Sequence, residues 1–433
     1  MKRLGLVLAG LALVGAVNTA DAQLTMQMGN GWSATFAGNV NAFYVYNSTS
    51  ANLGFGTPTD DYQGVGKNNG IGTGLLPAFF TFEAKGKEGN TDLGVHFGFA
   101  PQVSAGRNVA SSFGTDAAGA QIDMRQVYLT VGGEWGQVLA GKELGLFQRQ
   151  AILTDMTLFG AGVNIGFRGT SLGRIGYGYL YTDFRGQFTY SSPGGKTAQI
   201  SFGVFEPTTT GASNFAYQYG DIPRFETEIT FKPKMKNTKT TVLVWVDGMV
   251  SHVKQCAVSD CDPFTTGDQN PGITTSGIAL GGKFDFSGVS IMASGFYASG
   301  LGSLFQGDAF IGGGFTGDGT DQFGNARGSQ GFIVQGMYTT NSGKVSLGLS
   351  YGQNQLKLTS DQEAIVGGNF GDFASRNAWI GQLTYHWTKS LRAVAEYTYA
   401  STKYYSAITA TDPSSSATGD RTNQFALGLM LFY

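Results

Sequence analysis

Residues that could act as nucleophiles, general bases or soft metal ligands are scarce in this sequence. It contains three histidines and two cysteines among 433 residues. A histidine-based catalytic or metal site therefore has little material, and no Ser/His/Asp set with a recognisable spacing is present. We predict no cofactor and no metal site, and the sequence indicates that the chain is not an enzyme.

The two cysteines, Cys256 and Cys261, lie in a segment that we interpret as a loop. In an oxidising compartment, such a pair predicts a local disulfide. A metal site with His252 and Asp260 is the alternative, but a single C-x4-C spacing is weak evidence for it. A second loop repeats Gly and Asp over 312–321. It could bind calcium, but it lacks the EF-hand spacing and favours a flexible surface loop.

Charged side chains are the remaining candidates, and several stand in stretches where polar and apolar residues alternate. If these stretches are membrane strands, a lipid-facing Arg or Lys would cost about 2–4 kcal/mol near the midplane, so the charges should face the interior of a barrel. Alternation gives these inward candidates: Glu83, Lys85, His96, Arg224, Glu226, Glu228, Lys283, Asp285, Arg392 and Glu396.

The last thirteen residues, 421–433, show what kind of element would position such side chains. Apolar residues recur there at every second position, which indicates a β-strand with one apolar face. A terminal aromatic residue suits a lipid-facing strand that ends at the membrane interface. An ordinary strand of a soluble sandwich is the alternative. Every second residue back from the end is apolar: Tyr433, Leu431, Leu429, Leu427 and Phe425.

The composition agrees with a wall that is apolar outside and polar inside. Aromatic residues make up 13%, Gly accounts for 67 residues, and charged residues are only 13%, about half of the globular average. No apolar run after residue 22 approaches about 18 residues, which excludes transmembrane helices. The formal net charge of −2 gives no indication of nucleic-acid binding. Two soluble domains would also fit the length, but no linker separates them.

The N-terminus has the form of a secretory signal peptide, which we assign to residues 1–22. The chain begins Met-Lys-Arg, continues with an apolar run over 4–17, and reads Ala-Asp-Ala at 20–22. A positive start, an apolar core and a small-residue cleavage site are the three parts of such a peptide. We therefore expect the mature chain, 23–433, to form one barrel domain.

Alternating stretches recur along the mature chain and predict sixteen strands joined by seven short turns and eight long loops. Lengths near ten residues suit tilted strands that cross a bilayer. Short turns on one side and long loops on the other are typical of bacterial outer-membrane barrels. The predicted strands are 34–47, 76–86, 91–100, 121–132, 137–144, one that ends near 190, 197–206, 223–233, 239–250, 276–286, 289–299, 330–340, 345–356, 376–388, 391–404 and 421–433.

Part of the chain, 121–205, resembles the Gram-negative general diffusion porins in detail. The family shows the motifs R-Q-aromatic, G-x-hydrophobic-G-x-V and G-R-Q. In the last of these motifs, Lys142 occupies the position where the family usually has Arg. Its Y-x-S-P strand, followed by an aromatic residue, is similar to 188–193 with Phe202. The three matching runs here are 125–128, 133–138 and 141–143.

The resemblance implies a sixteen-stranded barrel in the outer membrane of a Gram-negative bacterium, surrounded by lipid. It implies a homotrimer that passes small hydrophilic solutes by diffusion. It also implies that the barrel-assembly machinery reads the C-terminal strand as an insertion signal.

In that family the third loop folds into the pore, which implies a constriction loop at about 145–182. Residues 146–153 predict a short helix. The family's P-E-F-G tip is absent, and 158–162 could take its place. The length of the segment also leaves room for another strand pair, which would make eighteen strands.

Charges at such a constriction would create a transverse field across it, because acidic groups on the loop would oppose basic groups on the wall. Arg125 shares the parity of Val127 and Leu129, so its inward placement requires a bulge or a rim position. The loop candidates are Glu143 and Asp155, with Arg149, Arg168 and Arg174 nearby. The wall candidates are Arg125, Lys142 and Arg185.

We therefore expect a water-filled outer-membrane channel. A substrate-selective channel, for anions or sugars, is the first alternative and would need a narrow opening with charge on one side or an aromatic track. An outer-membrane enzyme would need a nucleophile with a base. A non-conducting anchor or adhesin would fit if the loops plugged the lumen.

Overall fold

The computed structural model describes most of the chain. Several predictions lie outside the described residues: the signal peptide 1–22, Arg168, Asp260, Cys261 and most of the loop 312–321. The described ranges are 24–51, 66–103, 122–163, 171–207, 210–212, 215–219, 222–235, 239–257, 270–305, 319–321, 324–364, 373–405 and 416–433.

Nearly all of the described secondary structure is β-strand. In chain order the strands are β1 (Leu24–Gln27), β2 (Ser33–Ala51), β3 (Gly66–Gly72), β4 (Phe79–Glu88), β5 (Thr91–Pro101), β6 (Ile122–Gly133), β7 (Gly136–Leu144), β8 (Phe184–Ser191), β9 (Ala198–Phe205), β10 (Thr210–Ala212), β11 (Phe215–Tyr219), β12 (Arg224–Phe231), β13 (Thr240–Ala257), β14 (Asn270–Phe286), β15 (Val289–Ser299), β16 (Gly328–Thr339), β17 (Val345–Leu356), β18 (Phe373–His386), β19 (Leu391–Tyr405) and β20 (Ser416–Phe432).

The helices in the described residues are short. They are α1 (Arg149–Thr154), α2 (Ser360–Glu363) and the 3-10 helices Gly29–Gly31, Met156–Phe159 and Gly302–Phe305. In the described part of the chain, none of them has the length and the apolar character to cross a bilayer.

Sixteen of these strands form one closed antiparallel ring. The chain runs around it from β2 through β4–β9 and β12–β20, and β20 then pairs with β2 from Asn39↔Phe432 to Ala51↔Asp420. Two backbone hydrogen bonds, 2.8 and 3.0 Å long, join Gly38 to Tyr433, next to the pair Asn39↔Phe432. Each of the sixteen described ring strands therefore has a neighbour on both sides, as a membrane requires. The prediction of sixteen strands is confirmed.

The other four strands extend the ring at its rims. β1 pairs with the start of β2, and β3 pairs with its second half. β10 and β11 form a small hairpin that pairs with β13. The eighteen-stranded alternative is wrong, because the described residues between β7 and β8 form helices and isolated bridges and no strand pair.

Side chains alternate across the wall as period two predicts. Leu427 is 61% exposed on the outer face of β20, while its neighbour Ala426 is 1% exposed on the inner face. The exposed apolar set of β20 also contains Phe425, Leu429 and Leu431. The interpretation of the C-terminal stretch as a strand with an apolar outer face is confirmed.

The two rims of the barrel differ. At one rim, which we call the short-turn rim, β14 and β15 are joined by Ser287–Gly288 alone, with Ser287 in the left-handed region. At the opposite rim, which we call the long-loop rim, the connections are long, as between Ser299 and Gly328. Several strands extend further toward the long-loop rim than predicted: β13 ends at Ala257 and not at 250, β14 begins at Asn270 and not at 276, and β20 begins at Ser416 and not at 421. Cys256 lies within β13 and not in a loop, because β13 pairs there with the hairpin strand β11 through Ala216↔Cys256.

Candidate constriction site

The described part of the connection between β7 and β8, residues 145–163 and 171–183, folds into the barrel, and we call it the inward loop. Its apolar side chains Leu146, Leu158 and Tyr179 are almost completely buried. They belong to the interior of the molecule together with wall residues such as Trp245 and Ile333. Removal of this apolar surface from water stabilises the loop inside the barrel. The prediction of a loop folded into the lumen is confirmed.

Two helical turns give the inward loop its shape. α1 follows Gln148, which has a left-handed backbone (φ 68°), and ends before Asp155. Asp155 then begins the 3-10 helix Met156–Phe159, because its Oδ1 accepts a 2.8 Å hydrogen bond from the Thr157 amide. A side-chain oxygen at this position satisfies an amide that has no partner within the helix. The predicted helix over 146–153 is present, three residues later at its start.

Carboxylates on the wall hold the entry of the inward loop. Glu226 Oε2 accepts hydrogen bonds from the amides of Leu146 (2.5 Å) and Phe147 (2.8 Å). Asp247 Oδ1 accepts a 2.9 Å bond from the Gln148 amide. Charge-assisted bonds of this kind are stronger than neutral ones. The beginning of the loop is therefore fixed to β12 and β13.

A further wall carboxylate, Glu396, holds the residues that follow the 3-10 helix Met156–Phe159. Glu396 Oε2 accepts bonds from the amides of Ala161 (2.7 Å) and Gly162 (2.9 Å), and its Oε1 accepts a 2.8 Å bond from Gln382 Nε2. Gln424 Nε2 donates a 2.5 Å bond to the Gly162 carbonyl. These side chains lie on β18, β19 and β20, so the loop spans the interior from one side of the barrel to the other.

Amide side chains complete the attachment between these two sites. Gln335 on β16 accepts a 2.9 Å bond from the Met156 amide and donates a 2.6 Å bond to the Thr154 carbonyl. Asn354 on β17 donates a 3.3 Å bond to the Tyr179 carbonyl. The loop's bonds to the wall thus reach β12, β13 and β16–β20.

Of the predicted loop charges in the described residues, Arg149 borders the lumen, Asp155 and Arg174 do not, and Glu143 lies on strand β7 and not in the loop. Arg149 binds Glu228 through two bonds, Nη2 to Oε1 at 2.5 Å and Nε to Oε2 at 3.2 Å. The Arg149 side chain is 17% exposed and that of Glu228 only 3%. Gln150 Nε2 adds a 3.1 Å bond to the same carboxylate. The cation of this pair therefore faces the interior space more than the anion does.

Asp155 and Arg174 are buried and serve the internal structure of the loop. Asp155 Oδ2 accepts bonds of 2.7 Å from Thr157 Oγ1 and from Tyr179 Oη. Burial raises the pKa of the Asp155 carboxyl, although the bonds from Thr157 and Tyr179 oppose the shift. Arg174 donates a 2.7 Å bond to the Ala378 carbonyl, and burial lowers its pKa to about 10. Neither side chain is placed to meet a solute, which corrects their assignment to the constriction.

The predicted wall charges occupy three different environments. Arg125 is the extra residue of a bulge in β6, where the register to β5 shifts between Gln126 and Met124. Its Nε donates a 2.7 Å bond to Asp123. Arg185 pairs with Asp183 at 2.8 Å, near the long-loop end of β8. Because Arg125 shares the parity of Val127 and Leu129, its inward placement was expected to require a bulge or a rim position. A bulge is present at this residue.

Glu143 and Lys142 lie on opposite faces of β7. Glu143 accepts a 2.7 Å bond from Gln126 Nε2 inside the barrel. Lys142 is exposed opposite Val127 and donates a 3.2 Å bond to the Met124 carbonyl. Since successive side chains of a strand point to opposite faces, Lys142 does not belong with the lumen charges, which corrects that assignment.

The candidates chosen by alternation lie on the inner face of the wall. Glu83 and Lys85 form a 2.7 Å ion pair, and His96 stacks on Tyr128 with ring centroids 4.8 Å apart. Arg392 lies near aromatic rings at the short-turn end. Arg224 pairs with Glu226, and Lys283 pairs with Asp285 at 3.1 Å. Glu226, Glu228 and Glu396 contact the inward loop as described above.

Five residues that hold the loop were not predicted from the sequence, namely Asp247, Gln335, Asn354, Gln382 and Gln424. Asp247 shares the inner face of β13 with Trp245 and Met249, so alternation could have identified it as a lone acid on an inward apolar face. The amides gave no such signal, because uncharged polar residues are ordinary on a barrel interior. Among the described residues, no group of three His, Cys, Asp or Glu side chains could hold a metal ion.

Comparison with known proteins shows the fold and leaves the family open. No protein-family model matches the chain, and no curated protein matches its sequence. Solved structures of outer-membrane channels match it over nearly its whole length. The outer membrane channel DcaP of Acinetobacter baumannii has a TM-score of 0.62 at 16% identity, with 94% of this chain and 99% of that chain covered.

Two further structures have the same architecture. An anion-selective porin from Comamonas acidovorans has a TM-score of 0.57 at 12% identity and covers 93% of this chain and 100% of its own. A trimer form of OmpT, an outer membrane protein of Vibrio cholerae, has a TM-score of 0.51 at 15% identity, with 93% and 100% covered. The chain therefore has a porin-like barrel fold.

Proposed function

We propose that the protein is an outer-membrane porin that forms a water-filled channel for passive diffusion of small hydrophilic solutes and ions. The observation that carries the proposal is the position of the inward loop. It is bound to the wall from β12 to β20, while the opposite wall carries partly exposed Glu83, Lys85, Gln126 and Glu143. A passage between the loop and this charged wall would be narrow and polar, as diffusion of hydrophilic solutes requires.

The exterior supports the same proposal. Exposed apolar side chains such as Leu280, Leu349 and Leu427 cover the outer face, and the charges selected by alternation occupy the inner one. This is the distribution expected of a barrel in lipid with a polar interior. The porin-like fold of the neighbouring structures agrees with an outer-membrane location.

An anion-selective channel is the second candidate. Arg149 is the more exposed member of its pair with Glu228, so the field in the passage would favour anions. The anion-selective porin from Comamonas acidovorans has the same fold. At 12% identity that likeness leaves selectivity to be measured.

Single-channel recording in planar bilayers tests the proposal directly. We expect discrete current steps whose conductance rises with salt concentration, and a reversal potential in a salt gradient that gives the ion preference. The control is the same preparation heated until the barrel unfolds. A folded barrel without current steps would contradict the porin function and support an anchor whose lumen is plugged by loops.

The remaining parts of the proposal concern assembly. We infer that the chain is secreted with cleavage after Ala22, that its C-terminal strand is read by the barrel-assembly machinery, and that it forms a homotrimer. Mass spectrometry of outer-membrane material should give the mass that begins at Gln23. Cross-linking in membranes should give a trimer band. An intact Met1 or a purely monomeric barrel would contradict the respective part.

A further inference from the structure

The outer surface of the barrel carries a cavity of about 510 Å³ across β14–β17. Its apolar lining on the outer face consists of Ile278, Leu280, Tyr297 and Phe332. All four are also among the exposed large apolar residues, with Ile278 at 58% and Leu280 at 61%. The cavity is therefore open to the lipid and not to the lumen.

One glycine makes this cavity. Gly295 lies on the outer face of β15, directly between Leu280 of β14 and Phe332 of β16. A Cβ at Gly295 would meet the Gly331 carbonyl oxygen at 3.4 Å and the Phe332 Cβ at 3.8 Å, which are ordinary contacts. The space above Gly295 therefore exists because a side chain is missing, and a larger residue there would fill the cavity without disturbing the backbone.

The cavity has a polar end. Gln330 Nε2 donates a 2.8 Å bond to Gln355 Oε1 on the outer face, beside Tyr297 in the strand register. Next to them, the exposed Lys357 places its Nζ 5.6 Å from the centroid of the Tyr297 ring. No carboxylate of the described residues forms an ion pair with this ammonium. The polar end is thus cationic and rich in amides.

The polar end lies at the long-loop edge of the membrane band. Eight residues of β14 separate Ile278 from Phe286 at the short-turn rim. This is about 26 Å along a strand at 3.3 Å per residue, or about 20 Å of height at a tilt of about 40°. Since the apolar band of such barrels is about 25 Å tall, Lys357 and the two amides stand where headgroups begin.

We propose that this cavity binds lipid A, the phosphorylated and multiply acylated glycolipid of the outer leaflet. One acyl chain fills the space above Gly295 between Leu280 and Phe332, and a phosphate meets Lys357. The position at the long-loop edge selects the outer leaflet, where lipid A is the anionic lipid. The inference rests on the outer-membrane location proposed above and is independent of conduction.

The test is native mass spectrometry of the purified barrel in detergent, titrated with lipid A and, separately, with phosphatidylglycerol. Gly295→Leu should weaken lipid A binding about tenfold, as displacement of about two methylene groups from an apolar site would. Lys357→Gln should weaken it about fivefold, the contribution of one basic residue at an anionic lipid surface. Gly336→Leu is the matched control, because Gly336 is an outward glycine of β16 where an added Cβ would have no atom within 4 Å.

Lys344→Gln, in the short-turn connection before β17, is the control for charge. Equal lipid A binding by Gly295→Leu and Gly336→Leu would overturn the proposal, and so would phosphatidylglycerol binding as tight as that of lipid A. If Gly295→Leu does not fold, the comparison of Lys357→Gln with Lys344→Gln decides alone. Conductance measured on the same samples should be unchanged, so a failed lipid site and a failed channel give different results.

Discussion

Phe432, the penultimate residue, packs edge-on against Phe159 at the end of the 3-10 helix of the inward loop, with ring centroids 6.0 Å apart. The guanidinium of Arg392 lies 4.8 Å from the Phe159 ring and 5.0 Å from the Phe432 ring. Cation–π contacts of this kind are each worth about 0.5–2 kcal/mol. The strand that closes the barrel and the loop that narrows it therefore share one aromatic contact.

Removal of Phe432 and Tyr433 should impair assembly before it affects conduction. The truncation deletes both backbone bonds between Gly38 and Tyr433 as well as the contact with Phe159. We expect the chain to accumulate unfolded in the periplasm, which heat-modifiable mobility on gels would show. Phe159→Ala is the control, since it removes the aromatic contact and leaves closure intact. Normal amounts of truncated barrel in the outer membrane would argue against a role of the terminus in assembly.

Glu396→Gln should loosen the inward loop. The glutamine keeps one acceptor oxygen and gains an NH2 group that only donates, so it can accept the bonds from the Ala161 and Gly162 amides or the bond from Gln382, but not both. Loss of a bond to a buried donor costs about 1–3 kcal/mol. We expect more current fluctuations between substates, measured in single-channel records. Glu83→Gln, at a wall carboxylate paired with Lys85, should leave the noise unchanged, and equal noise in both variants would contradict this role of Glu396.

Arg149 should set the sign of ion preference. Arg149→Gln leaves the Glu228 carboxylate without its cation and should shift the reversal potential toward cation preference. Glu228→Gln should shift it toward anions, because Arg149 then acts alone. Effects of charge are large here because the effective dielectric of a narrow, partly dehydrated passage is low. Asp155→Asn is the buried control and should change little, and shifts of the same sign in both pair variants would exclude the pair as the filter.

Deletion of 152–161 should raise conductance markedly. These residues include Leu158 and Ala161, which are buried inside the barrel, so their loss widens the passage. The measurement is the single-channel current at fixed salt. The control is a deletion of equal length in 306–318, in the connection between β15 and β16. If only the control deletion raises conductance, that connection and not the inward loop forms the constriction.

The strands were predictable because period two is visible in a single sequence. Alternation placed Glu226, Glu228 and Glu396 on the inner face, and it located the apolar outer face of β20. The burial of the loop charges was not predictable in the same way. Asp155 and Arg149 lie close together in the chain, and what packs against each of them decides which one is buried. Asp155 is buried because it caps a 3-10 helix and accepts a hydrogen bond from Tyr179, which lies near the other end of the loop.

The prediction of a loop at Cys256 was wrong because the side-chain pattern does not show where β13 ends. β13 and β14 continue to pair toward the long-loop rim as far as Gln255↔Asn270, beyond the exposed apolar residues Val250 and Ile278. Hydrophobic periodicity fades there although the hydrogen-bonded ladder does not. Strand ends outside the membrane are therefore set by backbone pairing, which the side-chain pattern records poorly.

The bonds of the inward loop have a consequence for the order of events during biogenesis. The loop lies early in the chain, but the side chains that bind it lie between Glu226 and Gln424. Its contacts are far apart in sequence, and such contacts form slowly because the intervening chain must first be ordered. The loop can therefore settle only after β20 has arrived. A nascent barrel would pass through a wide-bore stage, and maturation of the pore would be its last step rather than its first.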